Sequence, residues 1–99
     1  MTKTKLAVGD RVYVSDPNWP DFWANGVNAT ISEPPRPVIA LATGWSGHVR
    51  FVPTTTGVRP FYWLKLDEPR RDDDGDGPYH EAEIAESSLH SIPSDARAV

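Results

Sequence analysis

Residues 59–69 read RPFYWLKLDEP, and this stretch decides the fold class of the chain. Two sets of side chains alternate along it: Tyr62, Leu64 and Leu66 on one face, and Phe61, Trp63 and Lys65 on the other. A period of two residues is the signature of a strand with one buried face. The sequence therefore predicts a strong strand here. We expect Pro69 to end it, because proline lacks the N–H that a central strand donates.

Shorter strands are predicted on both sides of this stretch. In LAVGDRVYVS, residues 6–15, Val12 and Val14 alternate with polar or exposed positions after a Gly-Asp turn. Further strands are predicted at 27–35 (VNATISEPP) and 37–43 (PVIALAT), and residues 44–53 (GWSGHVRFVP) predict a glycine-flanked turn followed by a strand. Residues 17–26, PNWPDFWANG, predict a long loop held by its aromatic rings and ended by an Asn-Gly turn. In residues 81–92, EAEIAESSLHSI, we expect a short helical turn and a last strand.

These elements predict one small all-β domain. The chain has 99 residues, ten of them proline and seven glycine, which favours short strands and frequent turns over helices. The spacing predicts an SH3-like barrel of five to six short strands with one short helical turn near the C-terminus, spanning residues 1–92. Residues 93–99 are expected to form a flexible tail. A five-stranded oligonucleotide-binding barrel is the competing architecture.

Two resemblances accompany this prediction. LAVGDRVYV, followed by a loop rich in tryptophan and proline, resembles the opening of the SH3-like barrels of electron-transport accessory proteins, which include the photosystem I accessory subunit, the variable chain of ferredoxin-thioredoxin reductase and the nitrile hydratase beta-subunit barrel. FYWLKLDEP and DGDGPYHEAEI, residues 61–69 and 74–84, resemble a group of small uncharacterised bacterial proteins that share the acidic turn. The first resemblance implies an SH3-like fold, and the second carries no activity to transfer.

Composition and charge narrow the classes of function. Cysteine is absent, which excludes disulfides, thiolate metal sites and cysteine nucleophiles within this chain. No apolar run has the length of a signal peptide or a membrane span, so we expect a cytoplasmic protein without membrane association. Residues 67–86 contain nine acidic and two basic side chains, a formal charge of −7, and the rest of the chain therefore carries +3. This acidic segment argues against a general nucleic-acid binder, which needs a coherent basic face.

The acidic segment itself matches a calcium-loop pattern. In RDDDGDGPYHEAE, residues 71–83, the aspartates Asp72, Asp74 and Asp76 take the first, third and fifth positions of an EF-hand loop. Gly77 takes the turn position and Glu83 the last position, where a bidentate carboxylate closes the oxygen shell. The possible cofactor is therefore Ca²⁺, bound by Asp72, Asp74, Asp76 and Glu83.

The flanks of this loop favour a different interpretation. An EF-hand loop joins two helices, whereas the segment before Asp72 contains Pro69 and is predicted to be a strand. Pro78 follows Gly77, and a residue before proline is biased toward extended conformations. One alternative to an EF-hand is a calcium loop between a strand and a short helix. The other is a solvated hairpin turn without a metal, in which Asp-Gly pairs serve the backbone.

The aromatic residues supply the leading functional hypothesis. If the Tyr62 face of the central strand fills the core, large rings remain outside it, close to cationic side chains. The expected partner-binding residues are Tyr13, Trp19, Trp23, Trp45, Phe61 and Trp63. Such rings bind proline-rich peptides, enclose methylated cations or stack on single-stranded bases. We therefore expect a module that binds a protein or peptide. Rings that merely close the barrel ends, or that pack in a homo-oligomer, remain as alternatives.

An enzyme is the class with the least sequence support. GWSGH, residues 44–48, departs from the nucleophile elbow Gly-x-Ser-x-Gly at His48, and a strand is expected where a helix should follow. The three histidines do not share a metal-ligand spacing. The sequence therefore predicts neither a catalytic residue nor an enzymatic activity.

Overall fold

A computed structural model describes residues 6–35 and 44–92 of the chain. Six strands form in this part: β1 (Arg11–Val14), β2 (Asn28–Ser32), β3 (Val49–Thr54), β4 (Gly57–Arg70), β5 (Tyr79–Ala85) and β6 (Leu89–Ser91). One 3-10 turn, Glu86–Ser88, lies between β5 and β6. The prediction of an all-β domain with five to six strands and a helical turn near the C-terminus is confirmed. The strand predicted at 37–43 and the tail predicted at 93–99 lie outside the described residues.

All six strands belong to one antiparallel sheet with β4 as its longest member. β3 and β2 pair in succession with one edge of β4, from Thr54↔Gly57 to Ala29↔Leu66. β5 pairs with the other edge, and β1 links β2 to β6. The spatial order is therefore β5-β4-β2-β1-β6, with the β3–β4 hairpin extending beyond it.

Within the described residues, the strands of the predicted SH3-like barrel do not close into a ring. Within 6–35 and 44–92, no ladder joins β5 to β6. β6 has only three residues, and all three find their register partners in β1. The chain therefore moves, through the 3-10 turn, from one end of the sheet to the other without closing it.

The core lies on the face of β4 that the alternation predicts. Tyr62 and Leu64 are fully buried and Leu66 is nearly so, while Lys65 on the opposite face is exposed. The other strands, the first loop and the residues beside them add the remaining core side chains, which are Leu6, Val12, Val14, Ala24, Val27, Ala29, Ile31, Val49, Ala82 and Ile84. Because burial of apolar area drives folding, this face fixes the register of every strand that contacts it.

The prediction that Pro69 ends the central strand was wrong. β4 continues through Pro60 and Pro69 to Arg70, which pairs with Tyr79. The register between β4 and β5 shifts between Lys65 and Arg70, so Pro69 lies in an irregular stretch of the ladder. A bulge tolerates proline because no ladder hydrogen bond is required from its nitrogen there.

The outer face of the sheet carries an ion pair that spans three strands. Arg11 on β1 donates to both carboxylate oxygens of Asp67 on β4, at 2.7 Å from Nη1 to Oδ1, and to Oγ1 of Thr30 on β2. The guanidinium lowers the pKa of the Asp67 carboxyl by hydrogen bonding to it. Both side chains are about two-fifths exposed, so this pair contributes little to the net stability of the fold.

The first loop returns to the point where it leaves the sheet. Val14 and Val27 share a backbone hydrogen bond, and Gly26 donates to the carbonyl of Val14. Gly26 has a φ of +87°, the left-handed conformation that the predicted Asn-Gly turn requires. The guanidinium of Arg70, at the end of β4, donates to the carbonyls of Trp23 and Asn25. These contacts place the aromatic residues of the loop beside β4 and β5.

Candidate functional site

The outer face of β4 carries one ring of a tryptophan pair. Trp63 lies there, and its ring meets that of Trp45 edge to face, with centroids 5.7 Å apart. The guanidinium carbon of Arg50 lies 5.8 Å from the Trp45 ring centroid. Both tryptophans are only partly buried. The pair is therefore an aromatic surface beside a cation, as the sequence predicts.

The same face continues through two glutamates on β5. The indole Nε1 of Trp63 donates to Oε1 of Glu81 at 2.7 Å. Arg50 donates from Nε to Oε2 of Glu83 at 2.7 Å. Alternate residues of a strand share a face, so Tyr79, Glu81 and Glu83 all lie on the outer side of β5, opposite the buried Ala82 and Ile84.

A second group of rings comes from the first loop. Trp19 stacks on Phe22 at 4.7 Å, Phe22 meets Trp23 at 5.8 Å, and Trp23 meets Tyr79 at 5.6 Å between ring centroids. Phe22 and Trp23 also pack against the core, whereas Trp19 is 49% exposed. This second group ends at Tyr79, the first residue of β5, which lies on the same face of that strand as Glu81 and Glu83.

Four of the six predicted partner-binding residues thus lie in these two groups of rings, and between the groups lies Glu81, which bonds to Trp63 and shares the outer face of β5 with Tyr79. We call this the aromatic row: Trp45, Trp63, Tyr79, Trp23, Phe22 and Trp19, joined by ring contacts and by Glu81. Phe61 shares the outer face of β4 with Trp63 and pairs with Arg50 and Ala85. Tyr13 lies elsewhere, on β1, where its ring faces that of His90 at 6.4 Å. The structure therefore gathers Trp19, Trp23, Trp45 and Trp63 and places Tyr13 apart from them.

A cavity of about 280 Å³ opens where the loop rings meet β5. Its lining consists of Trp23, Asp72, Tyr79, Glu81, Ala82 and Glu83. Two rings and three carboxylates line it, with the alanine methyl group between them. We call this cavity the acidic groove. It lies at the lower end of the volumes of small-molecule pockets, so it has room for one head group rather than a large cofactor.

The acidic turn that borders the groove is organised by one carboxylate. Oδ1 of Asp72 accepts hydrogen bonds from the backbone N–H groups of Asp74 and Asp76, at 3.0 and 2.9 Å. Oδ2 of Asp72 accepts from the hydroxyl of Tyr79 at 3.2 Å. The guanidinium of Arg71 donates to the carbonyls of Gly75 and Gly77. The turn is therefore held by its own side chains.

The three aspartates of the predicted metal site are close to one another. One carboxylate oxygen from each of Asp72, Asp74 and Asp76 lies within 4.8 Å of the others. Glu83 lies instead on β5, where it accepts from Arg50. Among the described residues the gathered set thus contains three of the four predicted ligands. Hard cations such as Ca²⁺ take oxygen ligands of this kind.

Negative charge also acts on the tyrosine of the groove. The hydrogen bond to Asp72 raises the pKa of the Tyr79 hydroxyl, and the nearby charges of Asp76 and Asp74 raise it further. The protonated phenol is favoured because a phenolate would add one more negative charge beside the carboxylates. Tyr79 thus keeps its neutral ring in the groove at ordinary pH.

Sequence reasoning did not include Tyr79 or Glu81 among the binding residues. The signal was present: YHEAEIA, residues 79–85, alternates large or polar residues with Ala82 and Ile84. That alternation places Tyr79, Glu81 and Glu83 on one outer face. The acidic turn contributes only Asp72 to the lining of the cavity, whereas β5 contributes Tyr79, Glu81, Ala82 and Glu83.

Comparisons with protein-family models, curated proteins and solved structures found no match to this chain. The resemblance to SH3-like accessory barrels therefore stays a prediction. Along the described residues, no helix has both the length and the apolar character to cross a membrane.

Proposed function

We propose that this domain is a non-enzymatic interaction module that binds a protein or peptide partner along the aromatic row. The observation that carries the proposal is the position of four tryptophans and two further rings outside or at the rim of the core. Residues of this type dominate the binding energy of protein interfaces, because they bury a large area with few rotatable bonds.

Polar side chains hold the rings in place, and this supports a role in binding over simple capping of the sheet. Trp63 is held by Glu81, and Arg50 is held by Glu83 while it faces Trp45. Rings that are already oriented lose less conformational entropy when a partner covers them. Polar groups around an aromatic surface also match the composition of interfaces, which have an apolar centre and a polar rim.

Selection from a random peptide library tests this proposal directly. Selected peptides are expected to quench or shift tryptophan fluorescence and to bind Trp63→Ala at least about ten-fold more weakly, as truncated hot spots do. Val58→Ala is the matched control, because Val58 is 65% exposed and lies away from the row on the β3–β4 hairpin. A library that yields no binder, or peptides that bind Trp63→Ala as tightly as the unaltered domain, would refute the proposal. Thermal unfolding of each variant verifies that it is folded.

A calcium-binding turn is the second candidate function, favoured by the gathering of Asp72, Asp74 and Asp76. Calorimetry with CaCl₂ is expected to show heat of binding, and the ion should raise the melting temperature because it binds only the folded turn. Asp74→Asn should abolish both effects. Asp73→Asn, which removes the same charge outside the gathered set, should retain them. The absence of heat and of a thermal shift at millimolar calcium would remove this candidate.

Two further hypotheses stay predictions. A single-stranded nucleic acid would stack on the same rings, but its phosphates would approach carboxylates at the acidic groove. A homo-oligomer would cover the rings with a second copy of the chain. Sedimentation of the domain, alone and with a single-stranded oligonucleotide, distinguishes both from peptide binding.

A further inference from the structure

We propose that the acidic groove binds the guanidinium of an arginine side chain from the partner polypeptide. This inference rests on the proposed function and specifies the chemistry of the partner. The groove combines two features that a guanidinium uses together: aromatic faces on which its plane stacks, and carboxylates that accept its N–H groups.

The aromatic walls come from two different elements. Trp23 belongs to the first loop and Tyr79 to the start of β5, and their rings are tilted by 49° with centroids 5.6 Å apart. The rings are not packed in parallel, and both line the cavity. Tyr79 is 37% exposed, and its hydroxyl is turned to Asp72. A flat cation in the groove is therefore expected to contact both rings.

The carboxylates are oriented and keep acceptor capacity. Glu81 uses Oε1 for the Trp63 indole, and Glu83 uses Oε2 for Arg50. Each carboxylate has a second oxygen with which to accept a hydrogen bond from a ligand. Two carboxylates that line one groove suit the fork of five N–H groups of arginine, which a lysine ammonium does not reproduce.

The balance of charge around the groove also favours a cation. No basic residue lines it. Arg50 compensates Glu83 from β3, and Lys65 is the register partner of Glu81 on β4. Asp72 lies in the acidic turn, and residues 67–86 carry a formal charge of −7 with both of their arginines included. The remaining negative charge attracts a positively charged side chain.

The surroundings indicate a polypeptide rather than a free small cation. The groove is continuous with the loop rings, where Trp19 stacks on Phe22 and is half exposed. Apolar residues on either side of a bound arginine would contact these rings. A free guanidinium compound would leave that part of the aromatic row uncovered.

A short peptide with one arginine between leucines is the probe. Titration into the labelled domain should shift the backbone amide resonances of Tyr79, Glu81 and Glu83. The same peptide with citrulline, which keeps the shape but lacks the charge, should bind at least about ten-fold more weakly, since charge-assisted hydrogen bonds are roughly twice as strong as neutral ones. Trimethyl-lysine in place of arginine should also weaken binding, because it has no N–H to donate. Free argininamide should bind more weakly than the peptide.

Variants of the domain locate the effect in the groove. Glu81→Gln keeps an oxygen for the Trp63 indole and is expected to weaken binding of the arginine peptide about five-fold or more. Asp73→Asn is the matched control, because it removes the same charge from an exposed side chain that does not line the groove. Trp23→Ala should weaken binding at least as much as Glu81→Gln.

Several outcomes would overturn the inference. They are equal affinity for the arginine and citrulline peptides, tighter binding of the trimethyl-lysine peptide, and equal losses in Glu81→Gln and Asp73→Asn. If library-selected peptides still depend on Trp63 in that case, the interaction module stands and only the arginine groove is refuted. If no peptide of any kind binds, the proposed function fails as well.

Discussion

Gly77 lies where the acidic turn meets the strands on either side of it. Its φ is +114°, and a Cβ atom at this position would lie 2.8 Å from the Tyr79 nitrogen and 3.0 Å from the Arg70 carbonyl oxygen. Gly75 also has a positive φ, of +83°, but a Cβ there would meet nothing within 4 Å. A side chain at Gly75 would therefore meet backbone strain alone, whereas one at Gly77 would meet both backbone strain and steric overlap.

Substitution of these glycines by alanine should have unequal effects. Gly75→Ala is expected to lower the free energy of unfolding by about 1 kcal/mol, because alanine disfavours the left-handed region. Gly77→Ala should cost roughly 2–3 kcal/mol, since the β4 and β5 backbones must also move apart. Urea denaturation of both variants measures the difference. Equal losses would contradict the close approach of the two strand ends.

A second prediction at the residue scale concerns the ionisation of Tyr79. Its folded-state pKa lies above the unfolded value of about 10, and the hydrogen bond to Asp72 is the main cause. The protonated hydroxyl therefore contributes its full stabilisation below about pH 10 and loses it as the pH rises through the folded-state value. Asp72→Asn should lower the pKa of Tyr79, because the amide keeps an acceptor oxygen but removes the charge.

Ultraviolet absorbance measures this titration. The difference between the titrations of the unaltered domain and of Tyr79→Phe is the component that belongs to Tyr79. An unchanged titration of Tyr79 in Asp72→Asn would show that the negative charge of Asp72 does not raise its pKa. High salt should reduce the rise in the Tyr79 pKa that the charges of Asp74 and Asp76 cause, because exposed charges are screened.

At the scale of elements, Arg70 connects the end of β4 to the first loop. Its Nη1 donates to the carbonyl of Trp23 at 3.3 Å and to that of Asn25 at 3.1 Å. The side chain is partly buried against the loop that carries one wall of the acidic groove. The geometry of the groove therefore depends on a residue that does not line it.

Removal of this connection should loosen the loop without unfolding the sheet. Arg70→Met is expected to lower the free energy of unfolding by about 1–2 kcal/mol, because two charge-assisted hydrogen bonds to backbone carbonyls are lost. Hydrogen exchange should accelerate at the amides of Asn25 and Gly26 and remain unchanged in β1 and β2. Arg59→Met is the control, since Arg59 bonds to Thr56 in the exposed hairpin. Unchanged exchange in the loop would contradict this role for Arg70.

Across the whole molecule, the alternation of side chains was the reliable signal in the sequence. It predicted the burial of Val12, Val14, Tyr62 and Leu64 because a half-buried strand must repeat every two residues. The sheet order depends instead on contacts that are distant in sequence, such as Val14↔Leu89 between β1 and β6. Local patterns do not encode which edges remain unpaired, so the absence of barrel closure was not predicted.

The candidate site was predictable to the same extent. Its residue types were visible, because exposed tryptophans and clustered carboxylates stand out in any sequence. Their grouping was not, since Trp23 reaches Tyr79 through the path of the first loop and the anchor supplied by Arg70. The spacing of the EF-hand pattern predicted that Glu83 would lie with the three aspartates. In the structure Glu83 lies on β5 and accepts a hydrogen bond from Arg50.

In the β3–β4 hairpin, Val49 and Tyr62 belong to the core, whereas the residues toward the hairpin tip do not. The residue pairs from Val52↔Arg59 to the turn at Thr54↔Gly57 contact only each other in the ladder, and the core side chains lie elsewhere. Replacement of residues 53–58 by Asn-Gly should close the hairpin at Val52 and Arg59 with a two-residue turn. The free energy of unfolding should change by less than about 1 kcal/mol, because exposed loop tips tolerate such changes.

Two valine substitutions test the same division between hairpin and core. Val49→Ala, at a side chain only 6% exposed, should cost roughly 2 kcal/mol, and Val58→Ala, at one 65% exposed, should cost less than about 0.5 kcal/mol. Thermal and urea unfolding measure both, and the shortened hairpin should bind the library-selected peptides as before. A large loss of stability in the shortened domain, with Val58→Ala neutral, would mean that the hairpin supports the sheet through its backbone ladder. In that case β3 and the outer half of β4 would belong to the cooperative unit that positions Trp45 and Trp63.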